Sequence, residues 1–271
     1  LPPININDRI GYLNSYPFYC LEQITSIGFP QLYLADLSDI TSSKKREVEK
    51  TVKEVIHRLG NYQLTNGGLV YWPGEREADE WSTSYAGHFI LEAKQKGYAP
   101  PISFVNNWLR FQQNKARQWR NSNTHYNSSL NQAYRLYTLA LAGKPELAAM
   151  NRLRENKDLS NDAKWRLAAA YAVAGKKDVA KQIAQIANID FVSSEHDSYT
   201  YGSLFRNRAM ALETMVVLED PSQRKIATAI AKELSSDTYL STQETSYGLL
   251  AMAKMTIKNG GKSLDVSFTQ N

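Results

Sequence analysis

An all-α fold is predicted from three observations. Apolar residues recur at three- and four-residue spacing along most of the chain, strand-like alternation is rare, and glycines and prolines fall where helix ends and starts need them. The clearest stripes are Val48, Val52, Val55, Ile56 and Leu59, then Ala133, Leu136, Tyr137, Ala140 and Leu141, then Ile226, Ile230 and Leu234. Gly60, Gly97, Gly143 and Gly175 follow helical stretches, where a left-handed cap favours glycine, and Pro101, Pro145 and Pro221 stand near starts.

Taken in order, period and punctuation place eleven helices near residues 20–36, 42–59, 80–96, 101–118, 128–142, 145–155, 160–174, 176–187, 202–218, 221–234 and 241–257. Two segments break the rhythm and read as long loops: Asn61–Glu77, rich in glycine and aromatics, and Ile189–Gly202, rich in Ser, Asp and Tyr. The stretch Ser263–Phe268 (SLDVSF) alternates like a strand. Residues 1–262 are therefore expected to form the helical domain and 263–271 to begin a following β domain of a longer parent. Helices joined by short turns pair antiparallel, and such pairs repeated about an axis give either an open solenoid or a closed toroid. Periodicity does not choose between them.

With 42% apolar residues in 271, the chain can bury a sizeable core. Its formal charge of +5 is mild, and basic residues alternate with acids as on solvated helix faces, so a nucleic-acid partner is not expected. No apolar run approaches the roughly 18 residues of a membrane span, so direct membrane insertion is not expected either. A secreted parent would carry its export signal ahead of Leu1. One cysteine, Cys20, leaves no disulfide framework and no multi-cysteine zinc site. The adjacent Glu195, His196 and Asp197 point different ways and make no ligand set, so no metal is expected.

Cys20 stands three residues before Gln23, within Tyr16-Pro-Phe18-Tyr19-Cys20-Leu-Glu22-Gln23. At a helix start these two positions share a face, and the sulfur can reach the side-chain carbonyl. Attack with loss of ammonia would close a thioester, an intramolecular cross-link that needs no cofactor. The protein would then be the electrophile, the reverse of ordinary nucleophilic catalysis. Tyr16, Phe18 and Tyr19 supply apolar bulk beside it, which such a bond needs against water. Spacing alone favours the common role of a lone cysteine, a small buried hydrophobe.

The segment resembles the bacterial form of the alpha-2-macroglobulin and complement thioester motif, whose core is Cys-x-Glu-Gln. Gly67–Gly74 (GGLVYWPG), Gln132–Gly143 (QAYRLYTLALAG) and Ser241–Ala251 (STQETSYGLLA) are similar to successive landmarks of the same domain, so the resemblance covers nearly the whole chain. It departs from the commoner Tyr-Pro-Tyr-Gly-Cys pattern at Phe18 and Tyr19. The resemblance implies an alpha/alpha toroid of about six helical hairpins. It also implies a single-turnover protease trap rather than an enzyme: a protease cuts a bait region elsewhere in the parent, and the uncovered thioester acylates an amine or hydroxyl of the attacker. Partners would be target proteases and the parent's other domains. The location would be periplasm or cell envelope, with lipid anchoring through the parent's N-terminus.

Mapped onto this chain, Cys20 is the thiol and Gln23 the acyl group, while Glu22 is a motif residue without an assigned role. His125 is the candidate for the intermediate acyl acceptor that complement-type members use, or else an ordinary loop histidine. Tyr71 and Trp72 either pack over the thioester as a lid or pin a glycine-rich turn to the toroid rim. Two rival functions start from the same residues. One is a cysteine hydrolase with Cys20 as nucleophile and His125 as base. The other is a carbohydrate-active toroid using Asp79 with Glu80, or Glu195 with Asp197.

Overall fold

The computed structural model describes residues 3–15, 19–120, 129–189 and 200–260. Among the described residues it contains thirteen α-helices and no strand beyond an isolated antiparallel bridge between Gln63 and Leu69. Six helices form an inner ring: α2 (Leu21–Gln31), α5 (Glu80–Gln95), α7 (Ser129–Leu141), α9 (Asn161–Val173), α11 (Leu204–Leu218) and α13 (Thr242–Lys258). Each packs on the next, and α13 returns to pack on α2, so the ring closes. Five outer helices bridge neighbouring members of the ring: α4 (Ser42–Leu59), α6 (Ile102–Gln118), α8 (Leu147–Arg154), α10 (Lys177–Gln185) and α12 (Gln223–Leu234). The fold is the expected alpha/alpha toroid.

Sequence explains the division into layers. Outer helices such as α4 and α6 bury one stripe and expose charge on the rest, as partly covered helices do. Inner helices are apolar or small nearly all round; α5 buries every residue from Trp81 to Ala93, and α9 carries the run Ala168–Ala169–Ala170. Gly87 lets α5 approach α6 so closely that a Cβ there would lie 2.1 Å from the Trp108 ring.

The structure corrects the helix reading in two places. The helix expected over 20–36 breaks after Gln31 and resumes as α3 (Leu34–Leu37). Pro30 cannot donate to the backbone ladder, and the chain turns through short bonds from the amides of Leu32 and Tyr33 to Phe29 and Pro30. A further helix, α1 (Ile6–Ser15), precedes the motif, burying Ile6, Ile10 and Leu13. Its Arg9 reaches the carbonyls of Glu233, Leu234, Ser236 and Thr238, satisfying the orphan acceptors at the end of α12. At the seam where α13 meets α2, α1 packs on both helices and α3 packs on α13. The expected β segment at 263–271 lies outside the described residues. No described helix is long and apolar enough to cross a membrane.

Because an outer helix separates successive inner ones, the inner helices run parallel and begin on the same face. Down the axis below that face, Tyr85 stacks on Tyr247, and Tyr134 lies tilted against Tyr247. Beneath them lies a buried ionic network, in which Glu213 meets Arg166 at 2.7 Å, Lys254 at 2.6 Å and the Tyr137 hydroxyl at 3.0 Å. Lys254 also pairs with Glu92, and His88 lies 3.2 Å from Glu92.

Candidate functional site

Cys20 is the N-cap of α2, on the face where the inner helices begin. Its backbone is extended, its Sγ accepts from the Gln23 amide at 3.5 Å, and the Cys20 amide donates to Gln23 Oε1 at 3.3 Å. This is a reciprocal capping box with sulfur in the place of the usual hydroxyl oxygen. The two expected reactants therefore share one helical turn, each bonded to the other's backbone.

The thiol is 1% exposed. Burial pushes it up to about 11, against a hydrogen bond with Tyr71 and the Gln23 amide, which pull it down. Sγ lies 3.2 Å from the Tyr71 hydroxyl. The loop carrying Tyr71 is tied down along its length. Leu21 donates to the Tyr71 carbonyl at 3.0 Å, and the Tyr71 and Trp72 amides converge on one Glu75 carboxylate oxygen at 3.1 and 3.0 Å. Leu69 exchanges two bonds with Thr83 Oγ1, at 2.9 and 3.1 Å, fixing the loop to the first turn of α5. Gly67 adopts φ +95°, and a Cβ there would lie 2.0 Å from the Asn107 carbonyl oxygen, so only glycine fits.

Tyr201 completes the cover, its ring stacked on Tyr71 with centroids 5.4 Å apart. Sequence reasoning did not single it out; the available signal was an aromatic in a loop bordering an inner helix. Trp72 packs edge-on to Tyr71 and is 42% exposed. Of the aromatics expected beside the thiol, Tyr19 is 48% exposed, its ring 4.9 Å beneath the Arg58 guanidinium. Tyr16 and Phe18 fall outside the described residues, as does His125.

Glu22 points into the toroid, accepting from Ser26 at 2.6 Å and from Thr242 at 2.9 and 3.1 Å. It joins α2 to the start of α13, and burial raises its pKa above the ordinary carboxylate value. The pair once considered for glycoside chemistry has other employment. Asp79 caps α5 through the Ser82 amide at 2.7 Å, while Glu80 pairs with Arg135 at 2.6 Å and Lys115 at 2.8 Å. Glu195 and Asp197, with His196, lie outside the described residues.

His88, Glu92 and Glu213 bring three ligand-type atoms together. The Lys254 ammonium is bonded to both carboxylates and balances their charge with Arg166, so the donors are already used. An open groove of about 850 Å³ lies at the far end of α2, where His57 sits beside Lys53 and Lys96. Those lysines are paired with Glu49 and Asp36, and the groove holds no arrangement of reactive groups.

No protein-family model matches the chain. It is 28% identical to the alpha-2-macroglobulin of Escherichia coli over 92% of its own length, and 26% identical to that of Xylella fastidiosa over 90%. It spans only 16% of the length of either. Among solved structures, it superposes on native E. coli alpha-2-macroglobulin from domain MG7 to the C-terminus with a TM-score of 0.81 at 25% identity, covering 93% of this chain and 42% of that one. Salmonella alpha-2-macroglobulin reacted with methylamine gives 0.79 at 25% identity, covering 94% and 18%. Over about nine tenths of its length, the chain is similar to one part of the bacterial alpha-2-macroglobulins.

Proposed function

We propose that Cys20 and Gln23 condense into an internal thioester and that this domain is the acylating part of a protease trap. One observation carries the reading: the only cysteine and a carboxamide are clasped in one helical turn, with water kept from the sulfur. In the condensation, Sγ adds to Gln23 Cδ while the Cys20 amide, already on Oε1, stabilises the charge that develops there. The start of α2 favours the same charge. The Cδ–Nε2 bond then breaks, and ammonia leaves with the thiol's proton. Later, an amine or hydroxyl of the target adds to Cδ and expels the sulfur, leaving the target joined to residue 23. Each molecule reacts once, without metal or cofactor.

Solved relatives support this reading. One is the Salmonella protein reacted with methylamine, an amine of the kind a thioester takes up, and another is E. coli alpha-2-macroglobulin activated by porcine elastase. By the same likeness we place the parent in the periplasm or cell envelope, held by a lipid anchor at its own N-terminus. Its proposed partners are target proteases and its other domains, and His125 is the proposed intermediate acyl acceptor. A cysteine hydrolase fits less well. It needs a thiolate, whereas burial raises Cys20 to about 11, and among the described residues no imidazole bonds the sulfur.

Intact mass with and without methylamine, peptide mapping across Cys20 and Gln23, and thiol titration test the proposal. The bond predicts loss of one ammonia and a blocked thiol, with methylamine adding to Gln23 and freeing Cys20. A glutamate at position 23 would mark a bond formed and then hydrolysed. A full-mass chain with free thiol and intact Gln23 would overturn the reading for this chain.

A further inference from the structure

We propose that Tyr71 is a catalytic residue of the acyl transfer, its hydroxyl donating a hydrogen bond to the Cys20 sulfur as that sulfur is expelled. This rests on the thioester reading above and assigns Tyr71 a task beyond cover. In the free thiol, S–H donates to the Tyr71 oxygen across 3.2 Å. Once sulfur is bonded to Cδ it has no hydrogen, so in that contact only the Tyr71 O–H can donate, and a hydroxyl hydrogen turns freely to do so.

The placement is specific. The Tyr71 backbone is bonded on both sides, through its carbonyl to Leu21 and through its amide to Glu75. Its ring is stacked on Tyr201, with the two planes within 14° of parallel. Tyr201 holds φ +52°, a left-handed conformation that bulky residues rarely adopt and that must be held by its surroundings. A cover alone would need rings; this arrangement also aims a hydroxyl at the sulfur.

The need is chemical. When an amine adds to Cδ, the Cδ–Sγ bond breaks and its electron pair goes to sulfur. The site is buried, and burial raises the Cys20 thiol to about 11, so an unsupported thiolate is a poor leaving group there. Tyr71 supports the charge until the proton lost by the amine reaches sulfur. Tyr71 keeps its own proton throughout, since burial and its neighbours hold its pKa well above the ordinary tyrosine value.

Two variants of the 271-residue chain, Tyr71→Phe and Tyr201→Phe, test this. Phenylalanine keeps the ring and its cover. Methylamine uptake should slow by roughly 10- to 100-fold in Y71F, the usual effect of one bond to a charged centre, and by less than about 3-fold in Y201F, which keeps the stacked ring. After methylamine treatment, the pH profile of Cys20 alkylation by iodoacetamide should move to higher pH in Y71F. That second readout needs only the free thiol. An intact bond with unchanged uptake and an unmoved alkylation profile overturns the Tyr71 role alone, leaving it a lid. A wild-type chain without the bond overturns the thioester reading and the leaving-group role with it, even if the alkylation profile still moves.

Discussion

Two buried glutamates, Glu22 in the first turn of α2 and Glu213 within α11, are held in opposite ways. Glu22, beside the thiol, is met by the hydroxyls of Ser26 and Thr242, and burial raises its pKa. Glu213, deeper along the axis, is met by Lys254 and Arg166. Burial alone would raise its pKa too, but the two cations outweigh burial and hold it well below the ordinary value. The same side chain type is thus a polar peg beside the thiol and an ionic lock deeper in the ring. The difference separates tasks: the charge that fixes the ring is kept away from the sulfur, where a fixed cation would stabilise thiolate and favour loss of the bond.

The largest expected effect breaks the lock. Glu213→Ala strands Arg166 in the core and leaves Lys254 with Glu92 alone, and removing one partner of a buried ion pair typically costs about 3–5 kcal/mol. Urea denaturation measures it; a loss under about 1 kcal/mol would show the network to be incidental. The same groups set the response to acid. Glu92 is held at about 2, burial being outweighed mainly by Lys254, and Glu213 is likewise depressed, so both contribute stability that is fully present above the unfolded carboxylate value and is lost as pH falls from there through the lower folded values. Burial also lowers the His88 pKa, so the unfolded chain takes up that proton first. Stability should begin to fall below about pH 6.5 and more steeply below about pH 4.5.

A smaller effect is expected where backbone geometry holds the loop over the thiol. Gly67→Ala places a Cβ against the Asn107 carbonyl in a left-handed conformation, at a cost of about 1–3 kcal/mol. The loop must shift, taking Tyr71 with it. Faster alkylation of Cys20 than in the wild type would confirm the coupling, and unchanged alkylation would break it.

Smaller still is Glu22→Gln. The raised pKa of Glu22 means that its ionisation costs stability as pH rises past the unfolded value, a cost the amide does not carry. The variant should be within about 1 kcal/mol of wild type near pH 5 and gain relative stability toward pH 8. Thermal melts across that range check the sign, and a loss that grows with pH would mean Glu22 is held by charge after all.

How much of this was legible follows from how local each contact is. The span 42–59 was read to the residue because α4 has a complete apolar stripe and a Thr41 cap; Gly60, expected as a left-handed cap, is right-handed and leads into a 3-10 turn over Gly60–Tyr62. The start of the chain was not, because α1 holds only three buried residues and a mid-helix glycine. Cys20 with Gln23 was visible as a spacing within one turn. The partners of Glu22 and Tyr71 were not, since Thr242 and Tyr201 arrive only when the ring closes. The axial network was hidden differently: charges at helical spacing read as solvated faces, and nothing local distinguishes Lys254 from a surface lysine.

The smallest expected effect concerns the residue that sequence placed beside the thiol and the structure places at the surface. Tyr19 precedes Cys20, but an extended N-cap directs neighbouring side chains apart, so the Tyr19 ring lies under Arg58 while the sulfur faces Tyr71. An exposed ring under a guanidinium is worth about 0.5–1 kcal/mol. Tyr19→Ala should therefore cost little stability and leave alkylation of Cys20 at the wild-type rate, whereas Tyr71→Ala should speed it. Equal acceleration in both would mean that Tyr19 shields the sulfur as well, and that cover on this face does not come from the Tyr71–Tyr201 stack alone.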